Sequence, residues 1–111
     1  MNPPRVHVAI QGVCAWPNLV ALDDGTLLAF IFNQPCHGAW EGDVDCWSSE
    51  DQGETWQFRS RVAPHEPETN RMNVAAGKTG SGDLIVLASG WSNRGRPYKE
   101  PIPSFANSVI L

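Results

Sequence analysis

Short apolar stretches, each closed off by Gly, Pro, Asn or Asp, recur along the whole chain. None keeps the three-to-four-residue spacing of an amphipathic helix, so the pattern predicts an all-β fold. Residues 6–10 form a β-branched run, and 12–17 break it. Residues 18–22 read as a strand and are followed by Asp23-Asp24-Gly25. That is a hairpin signal, because glycine reaches positive φ without steric cost. Residues 27–32 are apolar throughout and too short for a typical helix, as in a strand buried on both faces. A polar loop at 33–43 leads to a strand at 44–49, a turn at 50–54 and an alternating strand at 55–62. After the loop 63–70, segments 72–77 and 84–89 form a second hairpin around Thr79-Gly80-Ser81-Gly82. A long loop, 91–106, precedes the start of another strand at 108–111.

The two hairpins resemble each other. Asn18 opens the first and Asn73 the second, and Gly25-Thr26-Leu27-Leu28 answers to Gly82-Asp83-Leu84-Ile85. The offset is 55 residues at the asparagines and 57 after the turn, which implies a second turn two residues longer. A repeat of this period, built from four antiparallel strands, is the mark of a β-propeller blade.

Composition sharpens this picture in a few places. Gly and Pro together number 19 in 111 residues, which favours short strands and tight turns over helices. A net charge of −4 offers no attraction to nucleic acid or to an anionic membrane surface. No apolar run approaches the roughly 20 residues of a membrane span. Met1-Asn2-Pro3-Pro4-Arg5 lacks the apolar core of a signal peptide, so the chain as written is expected in the cytoplasm. Cys14, Cys36 and Cys46 match no zinc spacing and are expected to be plain thiols, with Cys46 a small core residue. No metal and no cofactor are expected.

One motif carries more weight than the rest. Ser49-Glu50-Asp51-Gln52-Gly53-Glu54-Thr55-Trp56 fits S-x-D-x-G-x-T-W between two predicted strands. The physics is that of a self-bonded turn. The Asp51 carboxylate accepts N–H groups of its own turn, Ser49 adds a hydroxyl, Gly53 supplies positive φ, and Trp56 buries a ring.

The motif resembles the Asp-box of sialidases and related six-bladed β-propellers, and the resemblance extends over nearly the whole chain. It implies a partial propeller: one complete four-stranded antiparallel blade at about 16–62 and most of a second at about 71–111. The strand at 6–10 would close the ring, and the remaining blades would be the chain's partners, alongside a carbohydrate. In the family the Asp-box lies on the face away from the active site, so Ser49, Asp51, Gly53, Thr55 and Trp56 are structural. The opposite face would be formed by 11–17, 33–43, 63–72 and 91–106.

Those loops hold Trp16, Asn33, Gln34, His37, Trp40, Glu41, Asp43, His65, Glu66, Glu68, Arg71, Arg94 and Arg96. Carboxylates transfer protons, guanidinium groups grip sugar carboxylates, and aromatic rings stack on sugar faces. The resemblance implies an exo-glycoside hydrolase of the sialidase type, with a general acid/base carboxylate in the loop 33–43. Asp43 is the preferred candidate and Glu41 the other, with His37, Trp40, Arg71 and Trp16 as substrate-binding residues. The chain departs from the family at Ala15-Trp16-Pro17, where an R-I-P motif would place an arginine for the substrate carboxylate. That departure favours the alternative, a non-catalytic propeller that binds glycan or protein. Tyr98, the only tyrosine, has no position that assigns it the family's nucleophile role. A blade and a half is expected to hydrolyse nothing alone.

Overall fold

The computed structural model describes residues 2–14 and 16–95, together with the strand at 108–110. The fold is all-β, with no helix among the described residues. The strands are β1 (Val8–Gln11), β2 (Asn18–Ala21), β3 (Leu27–Phe32), β4 (Val44–Ser49), β5 (Gln57–Ala63), β6 (Asn73–Lys78), β7 (Leu84–Ser89) and β8 (Ser108–Ile110). They form one antiparallel sheet in the order β2-β3-β4-β5, a hairpin β6-β7, and a pair β1-β8.

The apolar run of β3 explains its central place. It pairs β2 on one edge and β4 on the other, and every residue from Leu28 to Phe32 is buried. Alternation sends its side chains to two cores. Leu28 and Phe30 join Val20, Val44 and Cys46 against Val74, Ala76, Val86 and Ala88 of the β6-β7 hairpin. Ala29 and Ile31 face the other way and pack with Ile10, Val13, Trp47 and Trp56. The three cysteines are buried thiols, and burial pushes each of them up from the ordinary thiol pKa.

The two hairpins turn in the same way. Leu22 N–H donates to Thr26 O and Gly25 N–H to Leu22 O; Thr79 N–H donates to Asp83 O and Gly82 N–H to Thr79 O. Gly25 and Gly82 both sit near φ +90°, at 89° and 94°. Residues 22 and 26 therefore match 79 and 83, and the repeat runs at 57 residues on both sides of the turn. The turns are equal in length, and the extra two residues belong to β6. Asn18 consequently corresponds to Ala75 rather than to Asn73. Its amide does something β6 does not repeat: Nδ2 donates to Val74 O at 3.0 Å and Oδ1 accepts from Ala76 N–H at 3.1 Å. This ties β2 to β6, and with Lys78 paired to Asp23 the two strands run in the same direction.

One placement differs from expectation. Residues 108–110 do not extend the sheet beside β7; β8 pairs antiparallel with β1. Two strands without neighbours satisfy each other's backbone N–H and C=O groups, which otherwise face an open edge.

Candidate functional site

Antiparallel order sends successive connections to alternate ends of the sheets. The turns 22–26, 50–56 and 79–83 share one end, while 12–17, 33–43, 64–72 and 90–95 share the other. The two ends are separated by a six-residue strand, about 20 Å.

The 50–56 turn is built from its own side chains. Ser49 is buried; its hydroxyl donates to Asp51 Oδ1 at 2.8 Å and accepts from Gly53 N–H at 2.8 Å. Asp51 Oδ1 also accepts Thr55 N–H at 2.9 Å, and Oδ2 accepts the Thr55 hydroxyl. These bonds, those from Thr55 foremost, hold the Asp51 carboxyl below its ordinary pKa. Gly53 has φ 89°, and its carbonyl accepts from Trp56 Nε1 at 3.0 Å and meets His7 Nε2 at 3.0 Å. The Trp56 ring packs on the Ile10 core. Every atom of Asp51 that could do chemistry is committed to the turn.

The opposite end holds a chain of ionisable groups. Asp43, 5% exposed, closes the 33–43 loop. Its N–H donates to Asn33 Oδ1 at 3.0 Å, and its carbonyl accepts Asn33 N–H at 3.0 Å. Carboxylate oxygen Oδ1 accepts the backbone N–H of His65 at 2.7 Å and meets His65 Nδ1 at 2.6 Å. Oδ2 lies 2.8 Å from Arg61 Nε. Arg61 also reaches Asp45 Oδ1 at 3.2 Å, and Asn33 Nδ2 bridges both aspartates at 3.4 and 3.3 Å. The far nitrogen of His65, Nε2, lies 3.3 Å from Glu41 Oε2, and Glu41 is exposed. The result is an acid–imidazole–acid relay from the interior to solvent.

Burial pushes the Asp43 carboxyl up, but the hydrogen bonds from the His65 backbone and ring, with the charges of Arg61 and His65, outweigh it. The net pKa is below the ordinary carboxylate value. Asp43 is thus an anion at neutral pH. Nδ1 of the ring faces Asp43 and Nε2 faces Glu41, so the imidazole stands between a buried and an exposed carboxyl.

A second group sits on the same end. His37 lies edge-on to Trp16, with centroids 4.7 Å apart, and 6.0 Å from the ring of Trp91. Trp16 is 57% exposed at φ 50°. The carbonyl of Gly38 anchors this corner. It accepts from Trp91 Nε1 at 3.2 Å, Asn93 Nδ2 at 2.9 Å and Asn70 Nδ2 at 3.4 Å. Asn70 is fully buried and also accepts Met72 N–H at 3.1 Å, so one amide ties the loops 33–43, 64–72 and 90–95 together. Arg71 donates its N–H to Gly42 O at 3.0 Å, beside Glu41. Its guanidinium bonds Thr69 Oγ1 and Asn70 O and pairs no carboxylate among the described residues. Trp40 is half-buried on the same loop. Ala15, Arg96 and Tyr98 lie outside the described residues.

Of the expected residues, Glu41 and Asp43 converge through His65, Trp16 converges with His37, and Arg71 abuts the loop between them. Arg61 and Asp45 belong to the cluster although sequence reading places them as strand positions. Asp43-Val44-Asp45 alternation was the available signal, since it puts both carboxylates on one side, where Arg61 of the neighbouring strand meets them. No family model, curated protein or solved structure matches the chain. Among the described residues no group of acidic, His and Cys side chains is arranged to hold a metal.

Proposed function

We propose that this chain forms the first blade and part of the second of a sialidase-like β-propeller, whose loop end binds a carbohydrate. In the complete ring that end cleaves a terminal sugar by acid/base catalysis. The observation that carries the reading is the relay Glu41–His65–Asp43 at the end opposite the Asp-box. It leaves one carboxyl at the surface, 3.3 Å from a ring that a buried anion holds in place. Proton transfer needs a reachable group that can take and release a proton, and Glu41 meets that need. Asp43, the preferred candidate from sequence, serves better as the group that orients His65. Trp16 and His37 supply the apolar platform on which a sugar ring stacks.

A second reading is favoured by two observations, the Ala at position 15 in place of an arginine and the lowered pKa of Asp43. In it the same end binds a glycan without cleaving it.

Hydrolysis of a fluorogenic sialoside by the complete ring separates them. Under the hydrolase reading Glu41→Gln lowers kcat by about a hundredfold or more, the usual contribution of a positioned proton donor. An unchanged kcat with Glu41→Gln removes the hydrolytic role. Titration of the 111-residue chain with the same sugar, followed by tryptophan fluorescence and repeated with Trp16→Ala, tests the binding role. Absence of a saturable, Trp16-dependent change removes both.

A further inference from the structure

The loop end brings two of the three cysteines together and leaves the third apart. Cys14 lies in the linker from β1 to β2 and Cys36 in the loop from β3 to β4, and both segments are at the same end of the fold. Cys14 packs in a small core with Phe32, Met72 and Trp91. Trp91 also donates to the carbonyl of Gly38 at 3.2 Å and lies 6.0 Å from the ring of His37. One indole thus touches the Cys14 core and the chain just after Cys36. A second contact joins the same two segments: Trp16 and His37, two residues after Cys14 and one after Cys36, meet edge-on with centroids 4.7 Å apart. Burial raises the pKa of both thiols, and the charge of Cys36 adds to the rise at Cys14, as a neighbouring thiolate does. Cys46 is elsewhere, on β4 between β3 and β5, in the core with Val20, Leu28 and Phe30.

We propose that Cys14 and Cys36 form a redox pair that closes into an intramolecular disulfide, stapling the 12–17 linker to the 33–43 loop and locking the Trp16–His37 corner. The oxidant is a low-molecular-weight disulfide, R–S–S–R. One cysteine gives up its proton, and its thiolate attacks a sulfur of the reagent and expels RS⁻, leaving a mixed disulfide. The second thiolate attacks the cysteine sulfur of that intermediate and expels the other RS⁻. Two electrons pass from the cysteine sulfurs to the reagent, and the two protons end on two RSH. The 33–43 loop is built of bends, so it opens at lower cost than a core strand and admits the reagent. Cys46 is protected by the ladders on both sides of β4. The thiolate is the nucleophile, so the raised pKa values make the pair slow at neutral pH and faster in mild alkali. The pairing goes beyond the sugar reading and does not depend on it.

The test uses the 111-residue chain and oxidised glutathione at about pH 8.5, where a free thiol is half ionised. Remaining thiols are alkylated, and the chain is weighed intact and mapped by protease digestion. Three cysteines allow three pairings, and the fold should select one. The expected product is a monomer lighter by two hydrogens before alkylation, with a linked peptide joining Cys14 to Cys36 and with Cys46 alkylated. Its Tm should exceed that of the reduced chain by about 8 °C, the effect of closing a loop of this length. The map is made on the unaltered chain, so it needs no variant to fold. Cys36→Ala should abolish both the linked peptide and the rise in Tm, and Cys46→Ala should keep both. The same oxidation in urea should give a mixture of pairings, which shows that selection comes from the fold. A product that stops at the glutathione mixed disulfide, a link to Cys46, a disulfide between two chains, an unchanged Tm, or the same mixture with and without urea overturns the proposal.

Discussion

Replacing Asp43 by Asn tests the idea that a buried anion organises the loop end. The substitution keeps shape and one acceptor oxygen, and so imitates the protonated aspartate. At neutral pH it removes the charge against which the His65 backbone N–H at 2.7 Å, His65 Nδ1 at 2.6 Å and Arg61 Nε at 2.8 Å are set. Arg61 is half in solvent and rehydrates, so the loss falls mainly on the two His65 donors. Charge-assisted bonds contribute about 1.5–3 kcal/mol each, and an amide oxygen retains part of that, so we expect a net loss of about 2 kcal/mol.

The pH dependence follows from the lowered folded-state pKa of Asp43. A carboxyl whose pKa is depressed on folding contributes stability that is fully present above its unfolded value, about 3.9. That contribution is lost as pH falls through the folded value. Urea unfolding of both proteins at about pH 7, about pH 5 and about pH 3 should therefore show a constant gap at the first two and a narrower one at the third. A gap that is the same at all three would mean that the substitution acts through packing. No gap at neutral pH would mean that the network contributes nothing, and either result refutes the reasoning.

Ser49→Ala strands the buried Gly53 N–H and removes one of the hydrogen bonds to Asp51, which keeps those from Thr55, at a cost of about 2 kcal/mol; differential scanning calorimetry should show a Tm lower by about 8 °C, and an unchanged Tm would show that the turn holds without the hydroxyl. Gly38→Ala would place a methyl 2.0 Å from the Trp91 ring at φ 59°, so the ring must leave and its bond to Gly38 O must break. We expect a red-shifted tryptophan emission and a loss of about 2 kcal/mol; spectra identical to the parent protein would mean that Trp91 does not pack there.

Strand positions were legible because each run is bounded by a residue that cannot continue it. Gly25 and Gly82, both at positive φ, end strands by backbone conformation alone, which local sequence records. The self-bonded turn from Ser49 to Trp56 was equally readable, since all its partners lie within a few residues. What failed depended on distance or on register. The match of Asn18 to Asn73 compared residue types and missed that the turns are equal in length, a fact held in backbone hydrogen bonds. The pairing of β8 with β1 joins strands a hundred residues apart by mutual need of edge partners, and no local pattern encodes it.

The loop end shows the same limit in chemical form. Sequence places Glu41, Asp43 and His65 in loops at one end, but not which carboxyl is buried. Asp43 is the buried one, held by the His65 backbone and ring and by Arg61 on β5, a strand residue with no loop signature that reaches Asp43 and Asp45 together. The His65 hydrogen bonds and the Arg61 charge together hold the Asp43 pKa below its ordinary value, and the exposed end of the cluster is Glu41. The proposed function accordingly gives Asp43, chosen first for its position in a loop, the task of orienting His65. Arg61→Met provides the complementary argument: with the cation gone, the two His65 hydrogen bonds still oppose burial, so the Asp43 pKa rises only part of the way that burial alone would take it.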